Sequence, residues 1–176
     1  MPNYRRDYSG TCWFFTVVTA GRRHLLTDDG ARRALRDAVR ACRARYPFTV
    51  DAWVLLPDHL HCIWTLPPED RDYSRRWSLI KRRFSQAMCR PKRGDTVTAT
   101  KGDSGYWQRR FWAHRIDDQA DYNAHVDYIH INPVKHGLVQ QVRAWPRSTF
   151  HRFVTAGVLP ADWGGEVRQP GDVGRE

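Results

Sequence analysis

Apolar positions along the chain follow two periods. "CWFFTVVTA" (12–20), "FTVDAWVLL" (48–56) and "HLHCIWTL" (59–66) are short runs rich in β-branched and aromatic residues, and each predicts a strand. Pro57-Asp58 is a turn signal that joins the last two as a hairpin. Between the first two strands, "TDDGARRALRDAVRACRARY" (27–46) opens on the cap candidates Thr27 and Asp28. It then sets Leu35, Val39, Cys42 and Tyr46 on one helical stripe, with arginines opposite that read as a solvated side. "DYSRRWSLIKRRFSQAMCR" (72–90) repeats the helical period with Trp77, Ile80, Phe84 and Met88. Residues 91–105 read as loop, and "YWQRRFWAHRI" (106–116) predicts a fourth strand. A third helix, capped by Asp117 or Asp118, is expected to run up to Pro133. Residues 164–176 have the composition of a disordered tail.

The order β-α-β-β-α-β followed by a helix is the ferredoxin-like split βαβ pattern. It predicts an α+β fold with a central antiparallel sheet, helices on one face and an added C-terminal helix. One domain over residues 1–150 is expected, with a partly disordered tail over 151–176. Such a fold hosts many functions and selects none.

Charge narrows the choice. The formal net charge is +10, carried by 29 Lys and Arg against 19 Asp and Glu, and it points to a polyanionic partner, nucleic acid first. Residues 71–93 hold nine basic side chains and one Asp, so Arg75, Arg76, Lys81, Arg82 and Arg83 lead the DNA-binding candidates. Arg109 and Arg110 come next, with Trp107 and Trp112 as stacking candidates. No apolar run is long enough to span a membrane, and no secretion signal is visible, so a cytoplasmic protein is expected. Four cysteines without CxxC spacing read as buried free thiols.

Two stretches carry candidate chemistry. His59 and His61 alternate with Leu60 on a strand, so both project from one face and make two corners of a metal site. An H-x-H pair by itself is a weak signal and more often describes two solvent-facing imidazoles. In "DYIHINPVKHGLV" (127–139), Tyr128 and Asn132 are four apart and share a helical face, although Pro133 disfavours helix at Asn132. His130 points away from Tyr128. Lys135 reads equally as a phosphate contact or a helix C-terminal cation, His136 reads as local structure, and Gly137 as a positive-φ turn.

Taken together, "PDHLH", "WQRRFWAHRI" and "DYIHINPVKHGLV" resemble the REP-associated tyrosine transposases, HUH-motif single-tyrosine enzymes of single-stranded DNA. The resemblance spans roughly residues 10–145, and its Tyr-Ile-His-x-Asn-Pro block is the specific part. It implies a ferredoxin-like fold, Tyr128 as nucleophile, and a divalent metal, Mg or Mn, on His59, His61 and Asn132. It also implies a partner, single-stranded DNA with a palindromic REP/BIME-type hairpin, and a monomer. The residues alone leave two rivals open: a nucleic-acid-binding module without chemistry, and a metal phosphodiesterase that uses water.

Overall fold

The computed structural model describes Tyr4, Arg6, residues 10–89 and residues 105–164. A four-stranded antiparallel sheet in the order β2-β3-β1-β4 is built from β1 (Thr11–Val18), β2 (Thr49–Leu55), β3 (His59–Leu66) and β4 (Trp112–Arg115). Helices α1 (Asp29–Arg45) and α2 (Tyr73–Met88) cross between strands and cover one face, where Phe15, Leu60, Cys62, Trp64 and Trp77 form one core. Helix α3 (Gln119–Lys135) covers the other face over a second core that includes Phe14, Val54, Ile63 and Tyr128. This is the ferredoxin-like arrangement expected from the element order. Among the described residues, no helix is long and apolar enough to cross a membrane.

Strand β3 is buried along its whole length because it is central and has a helical layer on each face. Its odd positions, His59, His61, Ile63 and Thr65, look toward α3. In β2 the register shifts between Val50 and Ala52, so Val50 packs with the α1/α2 core while Ala52 and Val54 pack with the α3 core.

Several boundaries differ from expectation. The fourth strand shrinks to Trp112–Arg115, with an isolated bridge from Thr19 to Trp107 before it. The third helix does not stop at Pro133. It continues to Lys135 and ends where Leu138 N–H donates to Pro133 O (2.9 Å) and Gly137 N–H to Val134 O (2.9 Å), with Gly137 at φ 66°. Pro133 has no N–H to offer the Ile129 carbonyl, and the cap after it satisfies the Pro133 and Val134 carbonyls. Cys12, Cys42 and Cys62 are buried free thiols, but Cys89 is exposed at the C-terminal cap of α2.

The described chain after α3 packs against the sheet edge. Leu55 N–H donates to Arg147 O (2.9 Å), Trp145 Nε1–H donates to Leu55 O (3.0 Å), and the short helix α4 (Phe150–Thr155) buries Phe150. The boundary expected after residue 150 falls inside α4. Residues 91–104 and the tail from 165 lie outside the described residues.

Candidate active site

Strand β3 presents His59 and His61 to α3 with ring centres 4.9 Å apart, and both are buried. Each ring is anchored through Nδ1. His59 Nδ1 lies 2.6 Å from Asp58 Oδ1, and His61 Nδ1 lies 2.8 Å from Thr16 Oγ1 on the neighbouring strand. Anchoring a ring through Nδ1 fixes its orientation and directs Nε2 away from that partner, the usual setting of a metal-ligating histidine. Asp58 is held in turn by Arg22 (3.1 Å). Burial pushes its carboxyl up, but the hydrogen bonds and charges of His59 and Arg22 outweigh this and hold it below its ordinary value.

Helix α3 lays its polar stripe over this pair. The Tyr128 ring sits 5.1 Å from the His61 ring, and the His136 ring 5.1 Å from the His59 ring. Asn132 lies midway between them on the same stripe. It is fully buried, and neither its Nδ2 nor its Oδ1 has a hydrogen-bond partner among the described residues. The Lys135 ammonium stands 5.0 Å from the centre of the Tyr128 ring. His130 faces away, toward Thr149, Phe150 and Phe153.

The geometry brings together His59, His61 and Tyr128, three of the residues singled out from sequence, and Asn132 lies one turn after Tyr128 on α3. It adds Asp58, Thr16 and His136. Asp58 was legible as the neighbour of His59. Thr16 was not, because only the β1–β3 register pairs it with His61.

The basic candidates separate. Arg82, Arg83, Arg109 and Arg110 are exposed, and Arg75 is exposed while paired to Asp72 (3.1 Å). Arg76 is a correction: it is 2 % exposed, and its guanidinium bonds Asp70 (2.7 Å) and the carbonyls of Pro47 and Asp72. It ties α2 to the end of α1 and has no face for DNA. Lys81 donates to Gln108 O (2.8 Å), and burial pulls its pKa down to about 8.

Two hollows adjoin these residues. One, of about 440 Å³, is lined by Thr16, Arg22, Arg110, Phe111 and Trp112 and opens beside the histidine pair. The other, of about 770 Å³, lies between α1 and the C-terminal segment. There Arg32, Arg33, Arg36, Arg40 and Arg43 face Arg147 and Arg152 across a floor that contains Trp53. The α1 stripe read from sequence as merely solvated is thus one wall of an arginine groove.

The family model described as "Transposase IS200 like" matches residues 11–132. A REP-associated tyrosine transposase of Escherichia coli strain K12 is 48% identical over 95% of this chain and 93% of its own length. The chain belongs to the REP-associated tyrosine transposases. A Haemophilus influenzae protein given that name provisionally is 42% identical over 98% of this chain and all of its own length. The solved structure of a REP-associated tyrosine transposase bound to a REP hairpin superposes with a TM-score of 0.77. It is 48% identical and covers 95% of this chain and 93% of that one. Membership of the family makes the chain an enzyme of the single-tyrosine transposase class, and the rival of a binding module without chemistry falls away.

Proposed function

We propose that this chain cuts and rejoins single-stranded DNA beside REP-type hairpins, with Tyr128 as nucleophile and a 5′-phosphotyrosine as intermediate. The observation that carries the reading is the Tyr128 ring 5.1 Å from His61, with Asn132 on the same helical stripe. A phenol has an ordinary pKa of about 10 and is a weak nucleophile at neutral pH. The phenolic oxygen bonds to phosphorus, the P–O3′ bond breaks, and the leaving 3′ oxygen takes up the proton. The phosphotyrosine ester keeps the bond energy, so a second 3′-OH can displace Tyr128 and rejoin the strand without a nucleotide cofactor.

His59, His61 and Asn132 fit a divalent metal. Two neutral imidazole nitrogens are aimed by Asp58 and Thr16, and a buried carboxamide without a hydrogen-bond partner costs about 1–3 kcal/mol unless a ligand satisfies it. The nitrogen and oxygen donors suit Mg or Mn, which when bound supplies a Lewis acid for a phosphate oxygen. Nucleophile and ligands come from one chain, which supports action as a monomer.

For the DNA path, the hollow with Arg22, Arg110 and Trp112 suits the single strand that enters the site. Arg75, Arg82, Arg83 and Arg109 suit phosphates farther along. The place of action is the nucleoid.

The test uses hairpin DNA labelled at the 5′ or the 3′ side of the cut, with Mn. Wild type should give a labelled protein band that survives denaturation, and Tyr128→Phe should bind the hairpin but lack the band. Cleavage that persists in Tyr128→Phe would establish water as the nucleophile and sink the reading.

A further inference from the structure

A second cluster of ligand-type side chains lies two turns before Tyr128 on the same stripe of α3, which runs Asp121, His125, Tyr128, Asn132. Asp121 Oδ2 is 2.9 Å from Nε2 of His114 on β4, and Asp121 Oδ1 is 2.9 Å from Nδ1 of His125. One donor atom from each residue lies within 4.8 Å of the other two. We propose that His114, Asp121 and His125 form a second divalent-metal site, suited to a borderline ion such as zinc or cobalt, which fastens β4 to α3.

Four observations carry it. Ligands around a tetrahedral zinc with bonds of about 2.0–2.1 Å stand roughly 3.4 Å apart, so small side-chain shifts close this cluster round an ion. The rings are already set: the imidazoles of His114 and His125 stack at 4.8 Å and 16°, with Trp112 stacked 5.7 Å outside His114 and Phe14 4.6 Å from His125. His125 Nδ1 lies within reach of both Asp121 Oδ1 and the Asp121 carbonyl (2.8 Å), two acceptors for one N–H, so a cation in place of that proton would meet both oxygens. The His114 side chain is 38 % exposed, which leaves an entry path and room for water as a fourth ligand.

Two imidazoles and one carboxylate bind zinc, cobalt or nickel better than magnesium. The site is separate from the His59/His61 pair, because the Phe14 ring stands between them, 4.6 Å from His125 and 5.6 Å from His61. The proposal does not rest on the strand-transfer reading, since the three ligands are not part of that site.

Cobalt(II) is the probe, followed by visible absorption and equilibrium dialysis on the full chain. His59→Gln/His61→Gln should still bind one Co(II), and adding Asp121→Asn or His114→Ala should weaken that binding more than tenfold. Asp121→Asn in the wild-type background should remove one Co(II) per chain. In a second measurement, Zn(II) raises the thermal midpoint of His59→Gln/His61→Gln and loses that effect when Asp121→Asn is added. Co(II) affinity indifferent to Asp121→Asn, or thermal midpoints equal with and without Zn(II), overturns the proposal and leaves a hydrogen-bonded strut. Far-UV circular dichroism checks each fold. Should Asp121→Asn unfold, His114→Ala, at a half-exposed ring on the edge strand, decides the question.

Discussion

His59 donates from Nδ1 to Asp58, and that bond, 2.6 Å long and backed by Arg22, decides which nitrogen faces α3. Loss of such an orienting carboxylate typically lowers metal affinity or activity 10- to 100-fold. Asp58→Ala should therefore raise the Mn concentration needed for half-maximal cleavage by about that factor and leave hairpin affinity alone. An unchanged Mn dependence would free Asp58 of this role. Asn132 offers the converse test. Its amide has no hydrogen-bond partner among the described residues, so Asn132→Ala removes no protein hydrogen bond. Cleavage should be lost while the thermal midpoint of the metal-free chain holds or rises, the trade-off expected where a strained polar group serves function. A fall of several degrees would mark Asn132 as structural.

The helices divide their arginines between two tasks. On α2, Arg76 is buried against Asp70 and backbone carbonyls, whereas Arg82 and Arg83 reach solvent. Arg76→Ala leaves the Pro47 and Asp72 carbonyls without their donor and Asp70, itself about a third exposed, without its partner, so it should lower denaturant stability by about 1–3 kcal/mol. The Asp70 carboxyl is held below its ordinary value, first by the hydrogen bond from Arg76. A lowered folded pKa gives stability that is complete above the unfolded value and is lost as pH falls through the folded one. Arg76→Ala should accordingly flatten the loss of stability below about pH 4, as followed by circular dichroism. Arg82→Ala/Arg83→Ala should leave stability within about 0.5 kcal/mol and lower the salt slope of hairpin binding by roughly two. An unchanged slope removes this face of α2 from the interface.

Across the whole molecule, basic surface gathers at both edges of the sheet. The hollow beside β4 adjoins the histidine pair, and the seven-arginine groove runs beside β2 at the opposite edge. A groove of this charge suits the phosphates of a paired DNA stem. Arg36→Glu/Arg40→Glu should weaken hairpin binding at least tenfold, yet leave cleavage of a short unpaired oligonucleotide near the wild-type rate. Equal losses on both substrates would argue against a stem-binding groove.

Much of this was readable from residue order. Runs rich in β-branched and aromatic residues located the four described strands, and helical stripes located α1 and α2, because a helix that buries one side carries that burial in its pattern. His59, Leu60 and His61 on a strand, and Tyr128 and Asn132 four apart, placed the candidate ligands and nucleophile on two faces. Helix α3 was harder at its end, since it is buried by the sheet on one side and by the 140–164 segment on the other, and Pro133 obscures its last turn. Only packing decided that His61 rests on Thr16, that His114 meets Asp121 and His125, that Arg76 turns inward, and that α1 faces Arg147 and Arg152. Local periodicity tells which side of an element is buried. What that side meets is set by strand register and chain crossovers, which bring together residues far apart in the chain, as where Arg147 donates to the Thr27 carbonyl 120 positions away.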